Sequence, residues 1–241
     1  VPPPSSHLDR PSRRAGAAHD LLDAVDVAIV VSRQAPWQLA ALQTALQTDL
    51  SRAWAGGALV VDDAAPASTR RAARATLADH HPVARRTILT LPRRLGTAAA
   101  ANLAIGEATG AYVALLDAAT RPAPGTLRRL TVALEADHDA LWAATTTPGF
   151  AVIRRVGFLD LGGFDPALRG GAAVADLARR ATIDGWRLLT VTDARAHRDG
   201  GGRSRRLRRT ASAAQRRPWS GAALALWLPR ARRGVRRDDL A

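Results

Sequence analysis

The stretch VDVAIVVS, residues 25–32, decides the reading of the fold. It is an apolar, β-branched run, which predicts a strand buried on both faces, as in a parallel sheet. Working outward, Pro36 opens a helical stretch to about Gln47, with the proline near the first helical position. Ala58–Val61 reads as a second strand ending on Asp62 and Asp63, and a helix follows from about Ala67 to Ala78. Thr87–Leu91 is a third strand, Gly96 to about Ala108 a helix, and Ala111–Leu116 a fourth strand ending at Asp117. Pro122 to about Ala136 is the next helix. This alternation predicts an α/β fold, a doubly wound and mainly parallel sheet flanked by helices, with right-handed crossovers. Ligands in such sheets bind beyond the carboxyl ends of the strands. The residues expected there are Ser32, Asp62, Asp63 and Asp117.

After about residue 138 the rhythm changes. Residues 137–149 read as a spacer. Gly149–Ile153 is a short strand, and Arg154–Leu161 a short helix running into Gly162-Gly163-Phe164-Asp165. Ala172–Ile183 is a helix and Trp186–Val191 a strand. The chain divides into a Pro-, Ser- and Arg-rich arm over residues 1–20, expected to be disordered, a domain over 21–202, and a basic C-terminal tail over 203–241. A weak amphipathic stretch spans Trp219–Leu228 in that tail.

Composition narrows the chemistry. The chain has 241 residues, 47% of them hydrophobic and 23% charged, enough for a sizeable core. It has no cysteine, which excludes a disulfide framework, a cysteine-ligated zinc and a thiol nucleophile. The formal charge is +14, and every basic side chain is arginine. Fourteen of those arginines lie from Ala194 onward against three aspartates, so that segment carries a net +11 and the preceding domain is close to neutral. A basic tail on a near-neutral domain differs from a basic domain. The opening VPPPSSHLDRPSRR lacks the apolar core of a signal peptide, and Gly221–Pro229 is too short to span a bilayer.

Seven ordered motifs carry a family likeness. They are IVVSRQAP (29–36), VVDD (60–63) followed by AAPAST, RLGTAAAAN (94–102), GAYVALLDAAT (110–120), RRVGFLDLGGFD (154–165), GGAAVADLARRATIDGWRL (170–188) and TDARAHRDGGG (192–202). In this order and spacing the sequence resembles a family 2 glycosyltransferase with the GT-A fold, over about Val25 to Gly202. The resemblance implies transfer of a sugar from a nucleotide diphosphate donor to an acceptor hydroxyl, with inversion. It implies a divalent cation, Mg²⁺ or Mn²⁺, to neutralise the diphosphate, and a carboxylate base to take the acceptor's proton.

Carried over residue by residue, the resemblance places Asp62 at the nucleotide, with Ser32 and Asp63 beside it. Asn102 also falls to the nucleotide site, and Asp117 to the ribose or the metal. The family's Asp-x-Asp reads Asp117-Ala118-Ala119 here, so the second carboxylate is replaced by Ala119. His197 is the remaining candidate metal ligand. The usual Glu-Asp pair falls at Ala173-Val174, leaving Asp176 and Asp165 as the catalytic carboxylate candidates. Ala101 stands where the family carries an arginine. Each position also has a purely structural reading. Asp62 or Asp63 caps a turn, Asp165 does the same, Asp176 holds its helix, and His197 is a loop histidine.

The tail has two readings, a solvated arm or a contact for anionic lipid head groups with Trp219 and Trp227 at the interface. The second fits relatives that act on lipid-linked or cell-envelope acceptors, and places the chain in the cytoplasm or at the inner face of the cell membrane. Three functions stay open: a glycosyltransferase, a non-catalytic nucleotide-sugar-binding relative or partner subunit, and a basic nucleic-acid-binding protein. No aromatic-interleaved platform or DNA-reading motif supports the third.

Overall fold

The computed structural model describes residues 21–33, 36, 38–39, 56–78, 85–198 and 219–240. The arm expected over 1–20, most of the helix expected from Pro36 to Gln47, and the tail over 199–218 lie outside the described residues. After a 3-10 turn at Leu21–Ala24 the strands are β1 Val25–Val31, β2 Gly57–Asp62, β3 Arg85–Thr90, β4 Tyr112–Asp117 and β5 Thr120–Pro122. They continue with β6 Ala140–Ala144, β7 Phe150–Arg154, β8 Arg187–Thr190, β9 Ala196–Arg198 and β10 Arg236–Leu240. The described helices are α1 Ala67–Ala78, α2 Thr97–Glu107, α3 Thr126–Ala136, α4 Arg155–Asp160, α5 Gly171–Ile183 and α6 Gly221–Ala231.

Among the described residues, eight strands form one sheet in the order β10-β3-β2-β1-β4-β7-β6-β8, and β5 pairs with β9 in a separate ribbon. β1 pairs in parallel with β2 and β4, and β2 with β3. β7 runs antiparallel between β4 and β6, and β10 antiparallel to β3 at the edge. All seven residues of β1 are buried, as its apolar run predicted. Its odd-numbered valines and Ile29 face a layer built on Ala73 and Leu77 of α1 and Leu127, Leu130 and Leu134 of α3. Ala28 and Val30 face the other layer, where α2, Phe158 of α4 and Leu177 of α5 pack. The period-two alternation of a strand feeds both faces at once.

One charged residue interrupts β1, and it stitches the amino end of the sheet. Asp26 Oδ1 accepts from Gly57 N at 2.7 Å, and Oδ2 accepts from Thr109 N at 2.7 Å and Gly110 N at 2.9 Å. Arg85 Nη2 adds an ion pair at 2.9 Å. A buried carboxylate is tolerable only when so fully partnered.

Three expectations are corrected. The helix expected from Pro122 begins at Thr126, because Pro122 and Pro124 hold the chain extended and Gly125 turns it in a left-handed conformation, φ 76°. Residues 120–122 instead form β5. The spacer expected over 137–149 contains β6, a five-residue strand whose Ala140, Leu141 and Ala143 are buried. Finally, residues 219–240, read as part of a tail, close the fold. α2 is apolar nearly all round, with Ala98–Ile105 all buried, and such a helix needs cover on its outer side. Trp227, Leu228 and Ala231 of α6 join that layer, and β10 then adds a strand beside β3.

Candidate functional site

The parallel strands end in one row. Val31 pairs with Asp62 and Val30 with Asp117, so the two aspartates flank the end of β1 from either side. Two strand spacings put their Cα atoms about 10 Å apart. Asp63 N donates to Val31 O at 2.9 Å and Leu91 N to Asp62 O at 2.9 Å, extending the row to the end of β3. Ser32, half-buried, follows β1 directly.

The carboxylates in that row are already engaged. Asp62 is buried; its Oδ1 accepts from Ala65 N at 2.7 Å, closing the turn into α1. Its Oδ2 lies 2.8 Å from Arg70 Nε in an ion pair whose N–H is not aimed at the oxygen. Asp63 is buried too, and accepts from Leu95 N at 2.6 Å and Gly96 N at 3.0 Å. It thereby fixes the loop that starts α2. Asn102 is fully buried and spends its amide on Phe164, donating to its carbonyl at 2.7 Å and accepting from its N–H at 2.9 Å. It thereby ties α2 to the segment after α4.

Asp117 is the partly exposed acid of the row. Its Oδ1 accepts from Ala119 N at 3.0 Å, and its Oδ2 pairs with Arg198 Nη2 at 2.6 Å. Arg198 arrives through the ribbon, in which Thr120 pairs with Arg198 and Arg121 with His197. Its Nη1 also donates to Pro148 O at 3.2 Å. Gly149 makes room for this approach: at φ 111°, a Cβ there would lie 2.4 Å from Thr120 Oγ1 and 2.9 Å from Arg198 Nη1. Of the two neighbouring residues of β9, it is Arg198 that meets Asp117.

The acids of the second half serve turns and helix contacts. Asp165 Oδ1 accepts from Ala167 N at 2.8 Å, and no described residue pairs with its Oδ2. Asp176 faces Arg180 Nε at 2.9 Å and Arg179 Nη2 at 3.5 Å. Arg180 in turn donates to the carbonyls of Leu161 and, at 2.6 Å, Gly163. The pair thus clasps the Gly162-Gly163 turn to α5. The base position of the resemblance carries buried Ala173 and exposed Val174.

A hard cation wants about six oxygen ligands. The residues here do not fit one: one of Asp117's oxygens binds Ala119 N, the other Arg198, and Ala119 supplies none. Among the described residues no three His, Cys, Asp or Glu side chains are grouped to hold a metal. The loops beyond the strands add positive charge instead, with Arg33 after β1 and Arg93 and Arg94 after β3, all exposed. Sequence reading missed Arg198 and Arg70. The i,i+4 spacing of Asp176 and Arg180 was legible, but nothing local marks a residue one position from His197 as the partner of Asp117.

The tryptophans assigned to a membrane interface are partly buried in the protein. Trp219 donates its indole N–H to Gly162 O at 2.5 Å and meets Trp227 edge-on, with centroids 6.4 Å apart. No described helix is long and apolar enough to cross a membrane.

This mixed sheet, parallel at its centre and flanked by helices, is the GT-A fold. Residues 58–155 match the model of the glycosyl transferase family 2, which bears out the likeness read from the motifs over that segment. Asp62, Asp63, Asn102 and Asp117 lie inside the match, and Asp165, Asp176 and His197 beyond it. Three solved structures are similar. A mannosyltransferase, PcManGT from Pyrobaculum calidifontis, in complex with GDP-Man and Mn²⁺, is 23% identical, with TM-score 0.58 over 70% of this chain and 55% of that one. GalNAc-T7 with UDP, GalNAc and Mn²⁺ is 16% identical, with TM-score 0.60 over 72% and 43%. S. aureus TarS 1-349 is 14% identical, with TM-score 0.58 over 71% and 59%. The chain thus spans about half the length of these proteins, and at such identities the likeness is one of fold. No curated protein sequence matches.

Proposed function

We propose that this domain binds a nucleoside-diphosphate sugar over the carboxyl edge of β1, β2 and β4 and transfers the sugar, with inversion, to an acceptor hydroxyl. The observation that carries this reading is the single row of strand ends, Ser32, Asp62-Asp63 and Asp117, on a fold shared with donor-bound transferases. In this reading Ser32 and Asp117 line the crevice. Asp62 and Asp63 shape its loops, and Asn102 supports it from behind.

The step needs three events. The acceptor oxygen bonds to the anomeric carbon, the bond from that carbon to the diphosphate oxygen breaks, and its electron pair leaves with the nucleoside diphosphate. The acceptor's proton passes to a base. Asp165 is the base of this proposal, because its Oδ2 has no described partner whereas both oxygens of Asp176 face arginines. The acceptor is a lipid-linked or cell-envelope glycan, met at the inner face of the membrane with the arginine-rich segment against anionic head groups.

One observation favours a second reading, a non-catalytic nucleotide-sugar-binding subunit. The base position holds Ala173 and Val174, and neither can take a proton. Titration with UDP- and GDP-sugars, followed by assay of donor hydrolysis, separates the two. Binding with turnover supports transfer, and binding without turnover supports the subunit. Failure to bind any donor, with tight salt-sensitive DNA binding in its place, overturns both.

A further inference from the structure

We infer that Arg198 is the fixed cation of the donor site, holding the diphosphate in place of a divalent metal. The inference deepens the donor reading above and rests on it. A diphosphate brings several negative charges to the carboxyl edge, and something there must neutralise them. The residues do not fit a hard cation, since Asp117 already gives one oxygen to Ala119 N and the other to Arg198. Arg198 is fitted for the task. Its side chain is 42% exposed, and its guanidinium is anchored by Asp117 through Nη2 and by Pro148 O through Nη1. These contacts use two of its five N–H donors, and the other three have no partner among the described residues, leaving capacity for a phosphate.

The anchoring is built into the fold rather than made by one flexible side chain. The β5–β9 ribbon sets the register that puts Arg198 across from Thr120, three residues beyond Asp117. Gly149 leaves the space the guanidinium fills. Asp117 neutralises part of its charge and orients the fork. The exposed arginines after β1 and β3, Arg33, Arg93 and Arg94, give the whole edge the sign a diphosphate requires.

The test uses the full chain, with UDP, GDP and inorganic pyrophosphate as probes, titrated by calorimetry in EDTA and again in Mn²⁺. The expected result is the same affinity in both buffers, and a loss of about tenfold or more in Arg198→Ala, the effect of removing one charge-assisted contact. Arg198→Lys keeps the charge without the fork and falls between the two. It also serves if Arg198→Ala unfolds, with the thermal midpoint as the check. Binding that requires Mn²⁺ overturns this inference and leaves the donor reading standing. So does binding in EDTA that survives both substitutions. No binding of any probe in either buffer overturns the inference and the donor reading together.

Discussion

The side-chain amide of Asn102 closes both backbone groups of Phe164, donating to its carbonyl at 2.7 Å and accepting from its N–H at 2.9 Å. Gly163 makes this possible, because a Cβ there would stand 2.7 Å from Asn102 Oδ1. The contact fixes Phe164 against Phe158, edge to face at 5.1 Å, and so joins α2 to the second half of the domain. Asn102→Ala leaves two buried backbone groups without partners and should cost about 2–4 kcal/mol. Urea unfolding measures it; a loss under about 1 kcal/mol would mean that water replaces the amide.

Asp26 concentrates more bonds than any acid of the strand-end row. Asp26→Ala strips Gly57, Thr109 and Gly110 of their acceptor and leaves Arg85 without its carboxylate. A loss of about 3–5 kcal/mol is expected, the range for breaking a buried charge pair. Arg85→Ala should cost less, since its side chain is 30% exposed and water can serve the carboxylate. Equal losses would show that the ion pair, and not the backbone bonds, carries the contact.

Tyr112 is the single tyrosine of the chain, so its titration is directly visible. Burial, and then the hydrogen bond it donates to Glu135, push its phenol up to about 12, while Arg154 acts the other way. The raised value means the folded state favours the neutral phenol. That stability is whole below the ordinary tyrosine range near 10 and is lost as pH rises towards 12. Phenolate absorbance should appear near 12 in the folded protein and near 10 in urea. Coincident curves would contradict the burial.

Restoring the second carboxylate tests the fit of the metal site. Ala119→Asp alone should leave Mn²⁺ affinity low, because Arg198 still occupies Asp117 Oδ2. Combined with Arg198→Ala it should bind Mn²⁺ measurably more tightly, seen by electron paramagnetic resonance. A full gain from the single substitution would show that Arg198 yields readily.

The edge strand β10 depends on acids. Asp239 accepts from Thr87 Oγ1 at 2.7 Å and pairs with Arg237, which holds its carboxyl below the usual range. A lowered folded value means stability present above the ordinary carboxylate range and lost as pH falls through the folded value. Acid should therefore release β10 before the central strands, seen as early amide exchange at Asp238 and Ile88, which pair across that edge. Deleting residues 235–241 should expose β3 as an edge and promote association, measured by light scattering.

How much was legible follows from the range of each interaction. The βα alternation and the acids at the strand ends could be read along the chain, because burial on both faces writes itself as an apolar run and strand ends as punctuation. β6 could not, because ALWAA is five residues long and becomes a strand only between β7 and β8. The last segment looked like a basic tail because its arginines outweigh a short apolar stretch. Its fold depends on the apolar outer side of α2, more than a hundred residues away.

The order of elements, the sheet's parallel centre and the row of Ser32, Asp62, Asp63 and Asp117 were set by the sequence alone, since they rest on local periodicity and chain direction. Which of those carboxylates face solvent, and which cation stands beside Asp117, only the tertiary structure decided. Arg198 lies 81 positions from Asp117. No pattern along the chain encodes that meeting; it arises because β5 and β9 pair and Gly149 leaves the guanidinium room.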